Sequence, residues 1–271
     1  ADALIARLCR RRAGIIVSTG PDGAPTATHA PIMWDAETRI ASAHIARANP
    51  QWKTGPGQGL IVVAGAEAYV SPGWYPSKAE HGKTVPTWNY EAAHLTGRLE
   101  WFDDGPSLEA LVRALSAQHE EGRALPWKIE DAPRAYIEAM LRGIVGVRLH
   151  VERIEAKRKL SQNKDQPDFA GVITGLSGSD DAMAHEVAAQ MLQTRAQGQD
   201  PDGNSRPAPN LDPRGSRGTA AFAATVSPAL AAGERLIGGR KSPNGASQGL
   251  SKAATLSAMT IHIVKLCVGA D

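Results

Sequence analysis

The sequence predicts a mainly β protein with flanking helices, an α+β fold in which a closed antiparallel barrel carries helices on its outside. Three observations predict this fold. Short alternating apolar runs joined by tight turns fill the first hundred residues, amphipathic helices follow, and another alternating strand comes between them. Strands first and helices later are typical of a barrel, because a parallel sheet would alternate each strand with a helix.

The first half of the chain is predicted to be one helix followed by strands. Residues 2–12 have apolar side chains at helical spacing and end in Arg10, Arg11 and Arg12, which suit the negative end of a helix dipole. An Asp-Gly pair within residues 20–24 predicts a hairpin turn. The apolar runs then predict strands at 13–19, 25–34, 39–46, 58–65 and 67–71, with a short helix or turn at 48–53.

The second half contains longer elements. Residues 85–103 hold one long or bent strand, and residues 143–156 alternate apolar and polar side chains as a half-buried strand does. Residues 104–122 form an amphipathic helix, and further helices are predicted at 133–143, with Pro133 in the first turn, and at 180–192.

Composition divides the chain into a domain at 1–196 and a tail at 197–271. The tail is rich in Gly, Pro, Ser and Arg and contains one aromatic residue, Phe222. Such a segment buries too little apolar surface to offset its ordering entropy, so we expect it to be mostly disordered. An altered reading frame and an acquired linker would both produce this composition.

Charge and cysteine content narrow the function classes. The formal net charge is +2, with +3 in residues 197–271 and therefore −1 in residues 1–196, so strong nonspecific nucleic-acid affinity is not expected of the domain. Cys9 and Cys267 have no metal-ligand or redox spacing, which indicates a reducing, cytoplasmic setting. No apolar run approaches the ~20 residues that span a bilayer, and because the chain begins at Ala1 we expect natural residues before it.

Three runs stand out as candidates for ligand binding. Residues 69–90 hold five of the thirteen aromatic residues, on a Pro- and Gly-containing segment suited either to cover a planar ligand or to plug a barrel end. Residues 43–53 place Arg47 where a strand gives way to a helix start, which favours an anion, although a plain Asn49 cap is the alternative. Residues 157–164 combine four cations with Ser161 and two amides, in what the sequence alone predicts to be a surface loop.

Catalytic and metal-binding motifs are absent from the sequence. It has no phosphate-loop glycine pattern, no HExxH, no GxSxG and no cysteine cluster, and its eight histidines have no metal spacing. The sequence therefore predicts no catalytic residue and no metal ligand.

The runs HIARANPQW, YVSPGWYPSKAEHGKTVPTWNY and IVGVRLHVERIEAKRKLSQN, followed by DFAGVITGL, resemble the PaiB-type FMN-binding negative transcriptional regulators. The resemblance extends from about Ala1 to the helix near Leu192. It implies a split β-barrel related to pyridoxamine-phosphate-oxidase-like flavoproteins, and a homodimer with FMN at the subunit interface.

The resemblance also implies where the flavin is bound. The flavin phosphate is expected at Arg47, with further contacts from Thr28, His29 and Pro31 of the strand at 25–34. The flavin ring is expected near the aromatic run at 69–90. A contact role for the KLSQN segment is our own inference. The predicted cofactor-binding residues are Thr28, His29, His44, Arg47, Asn49, Trp74, Tyr75, Lys78, Trp88, Asn89, Lys159, Gln162 and Asn163.

Three functions are compatible with these features. The first is a cytoplasmic FMN-binding repressor, in which DNA is contacted directly or through a partner protein. The second is an FMN-dependent oxidoreductase acting on a small molecule, with the flavin supplying the chemistry. The third is a barrel that has lost flavin binding and acts as an interaction module. For direct DNA contact, the dense basic sites of the domain are the Arg7 to Arg12 helix and the 157–164 run.

Overall fold

The computed structural model of the protein describes residues 1–198. The predicted tail, apart from its first two residues, lies outside this described part. One seven-stranded antiparallel sheet dominates the domain, in the order β2-β1-β5-β6-β7-β4-β3. Its strands are β1 (Ala13–Thr19), β2 (Pro25–Pro31), β3 (Met33–Asp35), β4 (Ile40–Ala46), β5 (Gly57–Val70), β6 (Thr87–Phe102) and β7 (Ile144–Lys159).

Within residues 1–198, six α-helices accompany the sheet: α1 (Asp2–Arg11), α2 (Ser77–His81), α3 (Gly105–Glu120), α4 (Arg134–Arg142), α5 (Gln166–Ser177) and α6 (Ala182–Ala196). Short 3-10 helices lie at Pro50–Thr54, Pro72–Trp74 and Ile129–Asp131. No helix within residues 1–198 is both long enough and apolar enough to cross a bilayer. The predicted class, mainly β with flanking helices, is confirmed.

The sheet curls into a barrel that is open along one side. Inward-facing side chains from β1, β2, β4, β5, β6 and β7 share one core cluster, and α1 inserts Ile5 and Leu8 into it. Strand β2 approaches β4, but within residues 1–198 β2 forms a ladder with β1 alone. The open side therefore lies between β2 and β4, and it is there that several of the predicted site residues meet.

Long strands and bulges account for most differences from the predicted elements. The strands predicted at 58–65 and 67–71 are one strand, β5, which carries a bulge between Ala64 and Glu67. The strand predicted at 25–34 is divided into β2 and β3. A second irregularity, between Thr96 and Gly97, brings the backbone of β6 so near β7 that a Cβ on Gly97 would lie 1.9 Å from the His150 carbonyl oxygen.

Three further boundaries were predicted incorrectly. Strand β7 continues to Lys159, so the first three of the eight residues in the 157–164 run are sheet and not surface loop. Pro133 precedes α4 as its cap instead of occupying the first turn. Helix α5 was not predicted as a separate element, although it forms a second core cluster with α6 and the segment after β5.

Candidate functional site

The predicted residues of β2 and β4 meet at the open side of the barrel. Asn49 precedes the 3-10 helix Pro50–Thr54; its Oδ1 accepts from the Gln51 backbone N–H at 2.9 Å, and its Nδ2 donates to Thr28 Oγ1 at 2.8 Å. The Gln51 side chain is buried and donates to the Ile16 carbonyl at 2.9 Å. The Asn49 cap therefore exists as a structural feature, and it also brings the hydroxyl of Thr28 next to the Arg47 corner.

Arg47 is held mainly by backbone carbonyl groups. Its Nε donates to the Arg142 carbonyl at 2.9 Å and its Nη2 to the Ile144 carbonyl at 3.2 Å, while Nη1 contacts Asp103 at 3.3 Å. The side chain remains 37% exposed, and its carboxylate partner Asp103 is more exposed still. Because an exposed pair of this kind contributes little energy, the guanidinium can exchange Asp103 for another anion.

A cleft of about 890 Å³ opens beside Arg47 between α3 and α4. It is not a concentrated basic site, because two of its arginines are paired with glutamates: Arg134 contacts Glu109 at 2.7 Å and Glu138 at 2.9 Å, and Arg113 contacts Glu109 at 3.3 Å. Its charged lining consists of Arg47, Arg113, Arg134, Arg142, Asp103, Glu109 and Glu138. The cleft therefore has fewer cations available to bind a phosphate than its volume suggests, and the turn at Arg47 and Asn49 is the better candidate site.

The two predicted histidines lie on the outer side of the sheet. His44 alternates with the core residues Ala43 and Ile45, and its Nδ1 is buried without a hydrogen-bond partner. Burial lowers the pKa of His44 from 6.5 to about 4, so the ring is neutral at pH 7. His29, opposite Ile15 in the β1–β2 ladder, is exposed.

Two of the predicted aromatic residues are used in packing. Tyr75 is 3% exposed and belongs to the cluster formed with α5 and α6, where Lys164 Nζ lies 4.2 Å from its ring centroid. Trp74 packs against the same cluster, over Gly175 of α5. These two rings therefore have a packing role, in a cluster separate from the barrel core, whereas Lys78, on α2, is exposed.

Trp88 presents its ring to solvent. It is 52% exposed and lies opposite Tyr69, which is 47% exposed; the two ring centroids are 6.1 Å apart at 71°, an edge-to-face pair. Lys159 on β7 hydrogen bonds to the Trp88 carbonyl and the Thr87 hydroxyl. Desolvation, with a smaller effect from Lys157, lowers the pKa of Lys159.

The three predicted amide residues, Asn89 on β6 and Gln162 and Asn163 of the KLSQN segment, differ in their burial and hydrogen bonding. Asn89 is buried and its Nδ2 donates to Ser161 Oγ at 2.9 Å. Gln162 closes a turn, because its Oε1 accepts from the Leu160 backbone N–H at 2.7 Å and its Nε2 donates to the Arg158 carbonyl at 2.6 Å. Asn163 is exposed. Ser161 has a φ of 57°, so this turn is held in a conformation that side chains rarely adopt.

The predicted residues therefore form two groups. The rim group contains Thr28, His29, His44, Arg47 and Asn49. The aromatic-end group contains Trp74, Tyr75, Lys78, Trp88, Asn89, Lys159, Gln162 and Asn163. Arg47 donates to the Ile144 carbonyl at the start of β7, and this part of β7 pairs with the end of β6, where Phe102 lies opposite Gly146. Trp88, by contrast, lies at the start of β6. Fourteen residues of β6 separate these ends, about 45 Å along the strand.

The three arginines of α1 and the following residue, Arg12, form ion pairs with glutamates. Arg7 and Glu91 are 2.8 Å apart, and Glu91, whose side chain is 1% exposed, also accepts from Arg158 Nε at 2.8 Å. The remaining pairs are Arg10 with Glu121, Arg11 with Glu186 at 3.4 Å and Arg12 with Glu186 at 2.7 Å. One of the two basic sites considered for DNA contact is therefore a set of ion pairs.

Comparison with known proteins identifies the family. The model of the family described as "Putative FMN-binding domain" matches residues 1–153. The chain is 33% identical over 182 residues to the Bacillus subtilis protein named Protease synthase and sporulation protein PAI 2, covering 66% of this chain and 84% of that protein. The chain belongs to this FMN-binding family. FMN is its cofactor, as the resemblance implied.

The chain also has low similarity to two solved structures. The FAD- and heme-binding protein from Mycobacterium smegmatis has a TM-score of 0.45 and 14% identity, covering 66% of this chain and 78% of that chain. A Listeria innocua protein described as a "Putative Pyridoxamine 5'-phosphate oxidase" has a TM-score of 0.32 and 14% identity, covering 57% and 95%.

The donor and aromatic groups of the domain fit FMN. At the rim, the hydroxyl of Thr28, the second amide hydrogen of Asn49 and the partly exposed guanidinium of Arg47 are donors suited to a phosphate. At the aromatic end, Trp88 and Tyr69 offer exposed rings suited to a flavin ring. Residues 1–198 contain no group of three or more His, Cys, Asp and Glu placed to bind a metal ion.

Some residues of these groups could not be recognised from the sequence. Glu91 joins α1, β6 and β7 through contacts across 84 and 67 residues, which no local pattern indicates. Asp168 receives two hydrogen bonds from Ser77, 91 residues away. The glycine pair Gly171 and Gly175 carried a usable signal, because small residues four apart on a helix mark a close approach.

Proposed function

We propose that this protein is a cytoplasmic FMN-binding negative transcriptional regulator that acts as a homodimer. The family supports the flavin, and the relative named for protease synthase and sporulation, matched over 84% of its length, supports a regulatory role. FMN supplies reversible electron and hydride chemistry when bound. In this proposal the chain's own residues bind and orient the cofactor.

The observation that carries the homodimer is the separation of the two groups. Arg47 and Trp88 are near opposite ends of β6, and a flavin mononucleotide is much shorter than the ~45 Å of strand between them. A single flavin reaches both groups if the rim of one protomer faces the aromatic end of its partner. In a two-fold dimer this pairing forms two equivalent sites.

The outer face of the sheet supports the same assembly. Ile15 lies opposite Val62, and Val17 lies opposite Leu60, which together form an apolar patch on β1 and β5. All four are half-buried, and none belongs to the core clusters within residues 1–198. A second copy of the chain would remove this patch from water, as the interfaces of symmetric dimers do.

The charge distribution supports an indirect link to DNA. Each arginine of α1 is paired with a glutamate, and within the 157–164 run Arg158 contacts the buried Glu91. Residues 1–196 also carry a formal net charge of −1, so the domain has little excess positive charge with which to neutralise phosphates. We therefore propose that a partner protein, and not this domain, contacts the operator.

Mixed dimers test the composite site. Arg47→Ala removes a charge-assisted contact worth about 1.5–3 kcal/mol, so FMN affinity falls ten- to a hundred-fold. Trp88→Ala also weakens FMN binding. When the two variants are mixed and allowed to exchange subunits, each mixed dimer has one site with both substitutions and one with neither. About a quarter of all sites then bind FMN with wild-type affinity in an equal mixture.

The matched control measures riboflavin, which lacks the phosphate. Arg47→Ala should leave riboflavin affinity unchanged, whereas Trp88→Ala should weaken both ligands. A mixture without any wild-type sites, from protomers shown by light scattering to exchange, would rule out a site shared between the two subunits. Turnover of a small acceptor with NAD(P)H would favour the oxidoreductase instead of the regulator.

A further inference from the structure

The segment between β5 and β6, residues 71–86, is seated on α5 by a close backbone contact. A Cβ on Gly171 would lie 2.0 Å from the Trp74 carbonyl oxygen, and one on Gly175 would lie 2.2 Å from Cδ2 of the Trp74 ring. Any side chain larger than hydrogen at either position displaces Trp74. The two glycines, one helical turn apart, therefore form a groove for this residue.

A buried carboxylate holds the same segment three residues further on. Asp168 Oδ1 accepts from the Ser77 backbone N–H at 3.1 Å and Oδ2 from the Ser77 hydroxyl at 2.7 Å, with Lys164 Nζ 4.0 Å away. Burial raises the pKa of Asp168, but the Ser77 hydrogen bonds and the Lys164 charge outweigh it and keep the pKa below 3.8. The carboxylate is therefore ionised at neutral pH and holds both donors.

These contacts fix the two strand ends that carry the exposed rings. The segment leaves β5 immediately after Tyr69 and Val70 and enters β6 at Thr87 and Trp88. Tyr75 is buried between the groove and the carboxylate contact, so the first half of the segment cannot move independently of α5. The edge-to-face geometry of Tyr69 and Trp88 depends on both strand ends staying in place.

We propose that Gly171, Gly175 and Asp168 of α5, here called the α5 latch, are positioning residues for the flavin ring. The latch holds residues 71–86 on α5 and so keeps Trp88 and Tyr69 preorganised to cover the ring. Preorganisation reduces the entropy lost on binding, and its removal weakens the ligand without removing a contact. This inference rests on the proposed flavin contact of Trp88.

The test compares an alanine substitution at Gly175 of α5 with one at Gly178, the residue that follows this helix. Gly175→Ala forces the Trp74 ring out of the groove, whereas Gly178→Ala meets nothing nearer than the Thr174 carbonyl oxygen at 3.4 Å. FMN and riboflavin affinity are measured for the full chain with each substitution, together with the rate of tryptic cleavage after Lys78 and Lys83. Ser77→Ala, which removes the hydroxyl hydrogen bond to Asp168, is the milder second variant.

Gly175→Ala is expected to accelerate cleavage and to weaken FMN and riboflavin by the same factor, about tenfold, because both ligands contain the ring. Gly178→Ala should match the wild type in every measurement. Should Gly175→Ala weaken FMN alone, or leave both affinities at the wild-type value, the positioning role is wrong. If Gly175→Ala does not fold, the same outcomes are read from Ser77→Ala. Wild-type protein that binds neither ligand would instead overturn the proposed function, and the inference with it.

Discussion

The rim and the aromatic end differ in how their side chains are used. At the rim, Thr28, Asn49 and Arg47 make local contacts but keep donors that can reach a ligand. At the aromatic end, the rings of Trp74 and Tyr75 are packed against α5 and α6, and Trp88 with Tyr69 remains exposed. The aromatic residues that cluster in the sequence thus fall into two sets: Trp74 and Tyr75 pack against helices, and Tyr69 and Trp88 face solvent.

Separate substitutions of Trp74 and Trp88 test whether the two rings have different roles. Trp74→Ala leaves a cavity over Gly171 and Gly175 and is expected to destabilise the fold by about 3 kcal/mol. Trp88→Ala removes an exposed ring, so its effect on stability should stay within about 0.5 kcal/mol. Denaturant unfolding measures both, and equal losses for the two variants would contradict the division of roles.

Acid titration of the folded protein tests whether His44, in the rim group, is buried in its neutral form. Its pKa is lowered from 6.5 to about 4 by burial, so between these pH values the unfolded chain binds a proton that the folded chain does not. Stability is therefore fully present above pH 6.5 and falls by about 3 kcal/mol as the pH decreases to 4.

The control for this titration is His44→Gln, which cannot take up the proton. The carboxylates with lowered pKa values, such as Glu100 and Asp168, lose their contributions at lower pH. Desolvation also lowers the pKa of His119, so the difference between the wild type and His44→Gln, and not the wild-type curve alone, reports on His44. A variant with the same pH dependence as the wild type between pH 6.5 and 4.5 would show that another group is responsible.

The order of the strands and the identity of the cofactor, FMN, could be predicted from the sequence. Alternating apolar residues indicate strands such as β1 and β4 correctly because their burial pattern is local. The bulge between Ala64 and Glu67 in β5 was mistaken for a turn, since a Gly-Ala pair interrupts the alternation in either case. The family resemblance, carried by unusual runs, identified FMN where composition alone left a plugging role open.

The allocation of individual site residues could not be predicted, for a physical reason. Whether Trp74 packs or binds depends on Gly171 and Gly175, about a hundred residues later, which provide the space it occupies. Likewise, Arg11 and Arg12 form ion pairs with Glu186, which is distant in sequence. Tertiary contacts of this kind leave no trace in the local pattern around the residue concerned.

Removing the tail is expected to have the smallest effect. The three core clusters draw on residues up to Met191, and α6 ends at Ala196 with Gln197 as its cap. We propose that residues 1–196 are the FMN-binding domain, and that a chain truncated after Gln197 keeps the unfolding midpoint and FMN affinity of the full chain. Differential scanning fluorimetry with and without FMN measures both. A lower midpoint in the truncated chain would place the boundary further on.

The ion pairs of Glu91 have a consequence for synthesis on the ribosome. Glu91 joins Arg7, near the start of the domain, to Arg158, near the end of β7, and β4 likewise obtains its main neighbour from β7. The N-terminal helix and the first four strands therefore emerge long before the strand that completes their barrel. At about 5–20 residues per second, a nascent chain carries an unfinished apolar core for several seconds. Chaperones that shield emerging chains have their longest opportunity to bind in this interval.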